Sequence, residues 1–270
     1  MQIDGISFSI LIPELKARLR DARIQRIEQD GKRSFVFIFR AQDRNYSLVL
    51  NFASQASALA LVEGKSEVKS EQVSAFLLYL RKHFRSARLL DIEHQDFERF
   101  FTLKFEQRDD CGDLVKRQLV LEFTGRLCNM IAVSDEAVIQ EALVHREDET
   151  QRVIMPARPY LAPETQDKYR FQELALDPTI IFDVRTLEAP FSRERFYDAL
   201  LKRVPGLSPF YAREILLQAD RIALDEELSE RSACFKSLKS FAKRVLDQDF
   251  SPRLLYRDQS VAGFAFMPVL

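Results

Sequence analysis

The sequence predicts an α+β fold, with an antiparallel sheet domain first and a helical domain after it. Three observations point there. Residues 24 to 62 hold four short segments of β-type alternation or apolar run, separated by turn formers. The first 160 residues show a helical period in two places, so strands do not alternate with helices as a parallel sheet requires. The last third carries its apolar residues at three- and four-residue steps.

Each element follows from its residues. A first helix starts after Asp4-Gly5, with Phe8, Leu11, Ile12, Leu15 and Leu19 on one face. Pro13 falls within it, so the regular helix either begins just before Pro13 or kinks there. Strands follow at Ile24 to Glu28, Ser34 to Phe39, Tyr46 to Phe52 and Ala58 to Val62. A second helix carries Val73, Phe76, Leu77, Leu80 and Phe84 on its buried face and Arg81, Lys82 and Arg85 towards its end, with Arg88 just beyond. A strand is expected from Phe97 to Glu106, where Phe97, Arg99, Phe101, Leu103 and Phe105 alternate with Glu98, Thr102 and Lys104. The loop Asp109 to Asp113 returns it into Lys116 to Phe123. Two more strands lie near Cys128 to Val133 and Val138 to Leu143.

The charged segment His145 to Arg152 reads as a loop, and prolines 156, 159 and 163 keep the next stretch extended at best. A boundary between Tyr160 and Phe182 gives a sheet domain over 1–175, a helical domain over 176–249 and a hairpin over 250–270. Ser192 caps a helix bearing Phe196, Leu200 and Leu201. The turn Val204 to Pro209 places Ser208 as N-cap and Pro209 in the first helical turn, ahead of Ala212, Ile215, Leu216 and Ala219. A short glycine-containing turn between helices suits a phosphate backbone, although most such turns only connect packed helices. A longer helix carries Leu228, Phe235, Leu238, Phe241, Ala242 and Val245. Arg253 to Tyr256 and Gly263 to Phe266 read as a hairpin, with a return to the first sheet as one option. The chain ends on apolar Leu270, which reads as a truncation.

Composition narrows the function. With 270 residues, 46% of them apolar, the chain can build a sizeable core, and 22 phenylalanines and no tryptophan supply its aromatic packing. Net charge is −1, so a nucleic-acid surface has to be a local patch. Cys111, Cys128 and Cys234 have neither disulfide nor zinc spacing, and His83, His94 and His145 are scattered, so no metal or other cofactor is expected. Seven unclustered glycines leave no phosphate-binding loop. Residues 6 to 12 are apolar but lack the flanks of a signal peptide, and no stretch spans a bilayer. The expectation is a cytoplasmic protein without a membrane partner.

The candidate binding residues are Arg81, Lys82, Arg85, Glu98, Arg99 and Arg126. The first three concentrate cations at one helix end, which either complements the dipole or contacts phosphate. Glu98-Arg99 sets an acid beside a base at the start of a strand. On a regular strand these two point to opposite faces, so joint contact requires a strand that begins after them or bulges. Arg126 follows a glycine and either joins this surface or forms a structural ion pair. Arg213 and Glu214 read as braces of the helical hairpin, Cys128 as a small buried apolar residue, and His83 as a packed or base-stacking ring. No catalytic constellation is visible.

These motifs resemble the NFACT family, the RqcH/NEMF type of ribosome quality-control factor, many of whose members are named bacterial fibronectin-binding proteins. The shared pieces are Asp4-Gly5; Arg23-Ile24-Gln25-Arg26-Ile27; Leu80-Arg81-Lys82-His83; Gly125-Arg126 with Asn129; Pro159-Tyr160 through Gln166-Asp167-Lys168; and Gly206-Leu207-Ser208-Pro209 with Ala212-Arg213-Glu214-Ile215. The resemblance implies a first domain similar to the N-terminal β-sandwich of formamidopyrimidine-DNA glycosylases and a helical domain of helix–two-turn–helix or helix-hairpin-helix type. It implies a non-enzymatic factor that binds tRNA and a large ribosomal subunit obstructed by stalled peptidyl-tRNA, with C-terminal alanine tailing of the nascent chain. The family's Asp-Arg pair is Glu98-Arg99 here, its Gly-Arg-His-Ser-Asn is Gly125-Arg126-Leu127-Cys128-Asn129, and a customary arginine falls near Ala58. The alternatives are a fibronectin-binding adhesin, an interaction module that has lost tRNA handling, and a DNA glycosylase. The glycosylase needs an N-terminal proline amine where this chain has Gln2.

Overall fold

The computed structural model describes residues 4–54, 57–66, 68, 73–95, 97–109, 111–147, 152–164, 168–183, 190–257 and 260–266, excepting the side chains of 256–264. Gln2, Asp110, Gln166, Asp167 and Leu270 lie outside the described residues. Two compact units form, one of Phe8–Glu164 and one of Ile3–Ser7 with Thr165–Leu270.

The first unit is built on strands β1 (Arg23–Gln29), β2 (Ser34–Ala41), β3 (Arg44–Asn51), β4 (Ala58–Glu63), β5 (Arg88–His94), β6 (Phe100–Arg108), β7 (Leu114–Glu122), β8 (Asn129–Ser134) and β9 (Ile139–Ala142). They join into one nine-stranded sheet in the order β4-β3-β2-β1-β5-β6-β7-β8-β9, every pair antiparallel. Neighbours are consecutive in the chain except at β1 and β5. There the ladder holds the single pair Arg23↔Arg88, extended by backbone bonds from Leu89 to Ala22 (2.8 Å) and from Ile24 to Ala87 (3.0 Å).

The sheet curls at that seam. Phe39 on β2 and Phe105 on β6 stack with ring centroids 6.5 Å apart, although three strand spacings of a flat sheet would separate them by roughly 14 Å. Phe52 stacks on Phe123 at 5.0 Å, and Phe8 meets Phe101 and Phe123 at 5.8 and 5.3 Å. The phenylalanine-rich composition therefore becomes one buried aromatic layer between the two halves of the sheet.

Helix α1 (Gly5–Leu19) passes through Pro13 rather than starting there; that residue is exposed. Helix α2 (Ala75–Phe84) buries Phe76, Leu77, Leu80 and Phe84. It runs antiparallel along β1. Its N-cap Ser74 accepts from the Leu77 amide and donates to Gln29 (2.6 Å), Arg81 reaches the Ile27 carbonyl (2.9 Å), and Ser86 just beyond the helix donates to Ile24 (2.8 Å).

Two strand expectations change. The sequence after α2 forms β5, hidden by an irregularity between Leu89 and Asp91 that puts its buried residues, Leu89 and Ile92, three apart. The strand expected from Phe97 begins at Phe100. Phe97 takes the left-handed conformation (φ 65°), a turn that leaves Glu98 and Arg99 ahead of the ladder.

The second unit holds α3 (Phe171–Leu176), α4 (Arg193–Arg203), α5 (Pro209–Glu226), α6 (Glu230–Leu246) and the strands β10 (Arg253–Arg257) and β11 (Ser260–Ala265). Those two strands form a separate two-stranded sheet and do not return to the first. Ser208 caps α5 by accepting from Tyr211, with Pro209 next, as the sequence suggests. The adjoining turn is closely packed. A Cβ on Gly206 would lie 3.0 Å from the backbone of Gly5 and Ile6, so this turn is covered, not open to an anion.

Candidate nucleic-acid interface

The six candidate residues divide into two places. Arg81, Lys82 and Arg85 sit at the C-terminal end of α2, and Arg85 is its C-cap. Arg81 is half-buried and spends its Nε on the Ile27 carbonyl, so part of its role is to hold α2 on β1. Lys82 and Arg85 are exposed. His83, the possible base-stacking ring, packs tilted against Tyr79 with centroids 4.4 Å apart.

Glu98, Arg99 and Arg126 lie elsewhere, where β6 and β8 begin and β7 ends. The turn ahead of β6 is fixed by its backbone. Glu98 donates its amide to Gln95 (3.0 Å) and its carbonyl meets His94 Nε2 (2.9 Å). The Arg99 carbonyl accepts from Phe123 (2.8 Å), which extends the β6–β7 ladder by one residue and anchors Arg99 at its start. Arg126 is exposed on a short 3-10 turn, Gly125–Leu127, whose first carbonyl accepts from the Cys128 thiol (2.9 Å).

Three arginines not anticipated from sequence share the charge environment of this region: Arg33 acts with Arg99 on Cys128, and Arg33 and Arg152 act on Arg146. Arg33 ends the β1–β2 turn, and its carbonyl accepts from Phe52 (2.8 Å), whose ring stacks on Phe123. Arg152 pairs with the buried carboxylate of Glu122 on β7 and lies 5.4 Å from the Tyr160 ring, while Tyr160 donates its hydroxyl to Glu122 (2.9 Å). Arg146 bridges to Ile154 through reciprocal backbone bonds of 3.0 and 2.9 Å. Asn129 holds the strand end that leads to it: Oδ1 accepts from Met130 and Val144 (both 3.0 Å), and Nδ2 donates to Val144 (2.9 Å). Asn129 is fully buried, so the family-matching asparagine is a structural clamp.

Cys128 is buried as expected, and burial raises its thiol pKa, with Ser57, Arg99 and Arg33 pulling the other way. The thiol is therefore neutral near pH 7. Arg146 is held below the ordinary arginine range, first by burial and then by the like charges of Arg152 and Arg33, with Glu122 opposing. Among the described residues the Arg33, Arg99 and Arg146 side chains form no hydrogen bond or ion pair. Arg146 thus meets two like charges, Arg152 and Arg33, and one carboxylate, Glu122.

Each site arginine missed in the sequence reading lies in a turn or loop and has no periodic signal; only the curl of the sheet gathers them. No group of three His, Cys, Asp or Glu residues is placed to hold a metal among the described residues, and no described helix is long and apolar enough to cross a membrane.

The fold is of the α+β class, a nine-stranded antiparallel sheet with helices, and Arg33, Arg99 and Arg146 form no hydrogen bond or ion pair among the described residues. The chain belongs to the NFACT family: the family model for the NFACT N-terminal and middle domains matches residues 4–270. It is 26% identical over 257 residues to Rqc2 homolog RqcH of Bacillus subtilis, covering 94% of this chain and 43% of that protein. It is 28% identical over 198 residues to archaeal Rqc2 homolog aRqcH of Methanocaldococcus jannaschii, covering 68% and 26%. The chain thus spans less than half the length of these relatives. In fold it is similar to the fibrinogen binding protein from Staphylococcus aureus (TM-score 0.76, 20% identity, 98% of this chain and 90% of that one). It is also similar to the N-terminal part of the fibronectin/fibrinogen-binding protein from Streptococcus suis (TM-score 0.74, 22% identity, the same coverage).

Proposed function

We propose that this chain is the RNA-gripping part of a cytoplasmic ribosome-associated quality-control factor. It binds a tRNA and the large ribosomal subunit that carries a stalled peptidyl-tRNA, and it supports alanine tailing without making the bond itself. The observation that carries this reading is Arg99. Its backbone is fixed by the β6–β7 ladder, its guanidinium has no protein partner among the described residues, and it shares the neighbourhood of Cys128 with Arg33. A planar fork held in place and uncompensated suits a phosphate or base edge, and each phosphate contact adds to affinity and to its salt dependence. Family membership and relatives named Rqc2 homologs supply the ribosomal context. The curl that stacks Phe39 on Phe105 supports a glycosylase-like sandwich, and the Ser208-Pro209 helix start supports a helix-hairpin-helix module.

The strand start also supports a joint role for Glu98 and Arg99. The left-handed turn at Phe97 keeps Glu98 out of the strand, so the regular alternation that would oppose the two side chains does not extend to it. Filter binding of tRNA to wild type and Arg99→Ala across a salt series tests the reading. The expected result is about a tenfold loss at ~0.1 M salt and a shallower slope for the variant. Equal affinities with parallel slopes would remove Arg99 from the interface.

A further inference from the structure

The aromatic layer that closes the sheet also fixes the backbone of two arginines. Phe52 and Phe123 stack at 5.0 Å, and each donates its backbone N–H to an arginine carbonyl, Arg33 and Arg99 respectively, at 2.8 Å. Those two arginines, far apart in sequence, are therefore held on neighbouring backbone. The Glu122–Arg152 pair immediately precedes Phe123 on the same strand. Asn129 pins Val144, two residues before Arg146, to the strand that follows Cys128. Ser57 lies beside Cys128 with its hydroxyl buried.

We propose that Arg33 and Arg146, together with Arg99, form a seat for one phosphate group, and that the paired Arg152 and the Ser57 hydroxyl complete its wall. The assignment rests on the RNA reading above for its natural ligand, a phosphodiester of the bound tRNA, but the seat itself is a matter of charge and geometry.

The charge balance favours an anion over a purely structural role. Half-buried like charges repel, and burial adds a desolvation cost. A structural cluster would pair each guanidinium with a carboxylate, as Arg152 pairs with Glu122 and Arg88 with Glu106 (2.9 Å). Arg33, Arg99 and Arg146 lack such partners among the described residues, and the thiol between them stays protonated. A tetrahedral oxyanion accepts several N–H donors at once and neutralises the excess. Three arginines on three different loops also give a geometry that a row of surface lysines does not.

Such a seat carries a signature opposite to that of a structural ion pair. Removing one of the crowded cations relieves repulsion in the free protein and weakens binding. The test uses Arg33→Gln and Arg146→Gln, with Arg44→Gln as control; Arg44 is an exposed partner of Glu63 on β3. Melting temperature without RNA is expected to stay level or rise by about 2 °C in the two seat variants. Their tRNA affinity is expected to fall about tenfold, with the salt slope reduced by about one. The control should change neither. Seat variants that melt lower and bind tRNA in proportion to their folded fraction would overturn the proposal, as would unchanged affinity.

A second arm separates this proposal from the RNA reading. Inorganic phosphate at tens of millimolar should raise the melting temperature of wild type and not of Arg33→Gln or Arg146→Gln. If wild type binds no tRNA but shows that phosphate response, the RNA reading fails and the seat stands. If it shows neither, the seat is wrong.

Discussion

Glu122 is the residue about which the site is balanced. It is buried, it accepts from Tyr160, and it neutralises Arg152. Burial, and next the Glu122 charge, holds the Tyr160 hydroxyl well above the ordinary tyrosine range, so it remains a donor at every physiological pH. Glu122→Ala would leave Arg152 buried without its counter-ion and Tyr160 without its acceptor. The expected loss is about 3–5 kcal/mol in urea unfolding. The sign differs from that expected for Arg146→Gln, although the residues lie within the same electrostatic group, because one change strands a charge and the other relieves crowding. The cysteines make a second residue-scale contrast. Cys111 is exposed, whereas Cys128 and Cys234 are buried, and burial pushes the Cys234 thiol up to about 11. At pH 8 a thiol reagent should label one cysteine in the native protein and all three in denaturant. Because the folded Cys234 value lies above the 9.0 of an exposed thiol, its contribution to stability is complete below pH 9 and is lost as pH rises towards 11.

Helix α2 shows what an element owes to its ends. Ser74 caps it and also ties it to β1 through Gln29, so Ser74→Ala should cost about 1–2 kcal/mol by thermal unfolding. The buried face of α2 was legible because Phe76, Leu77, Leu80 and Phe84 keep the helical period. Strands β2, β3, β6 and β7 were legible from apolar runs or alternation, with ends one to three residues from those expected. Strand β5 was not, since its irregularity breaks the two-residue period on which strand recognition depends. The basic end of α2 was legible as a charge cluster, but its place was not. The helix N-terminus lies by Gln29, close in sequence to the turn that bears Arg33, so Arg81, Lys82 and Arg85 lie at the opposite end of α2, on the order of 15 Å along its axis. The sequence places them beside Glu98 and Arg99 by proximity along the chain, a poor guide once β5 intervenes.

The whole molecule explains why the site could be read only in part. Arg99 was legible beside Glu98 at the start of a strand and Arg126 after a glycine, and the fold places both near the start of β6 and β8. Arg33, Arg146 and Arg152 carry no pattern of their own. They meet because the β1–β5 seam joins segments far apart in sequence and the sheet bends there until Phe52 reaches Phe123. The second unit has its own strict requirement. Gly206 has φ 65°, and an added methyl would press on the backbone of Gly5 and Ile6. Gly206→Ala should therefore destabilise that unit by roughly 1–3 kcal/mol in calorimetry, with the arginines of the sheet left in place.

That close approach has a practical corollary for anyone trimming the chain. The segment Ile3–Ser7 groups with the carboxyl-terminal body and not with the sheet that follows it. A version begun at Phe8, drawn to isolate the sheet, would retain every guanidinium of the cluster yet deprive a distant turn of the surface on which it rests. Damage seen in such a shortened protein would report on that missing support and not on the loops that carry the arginines.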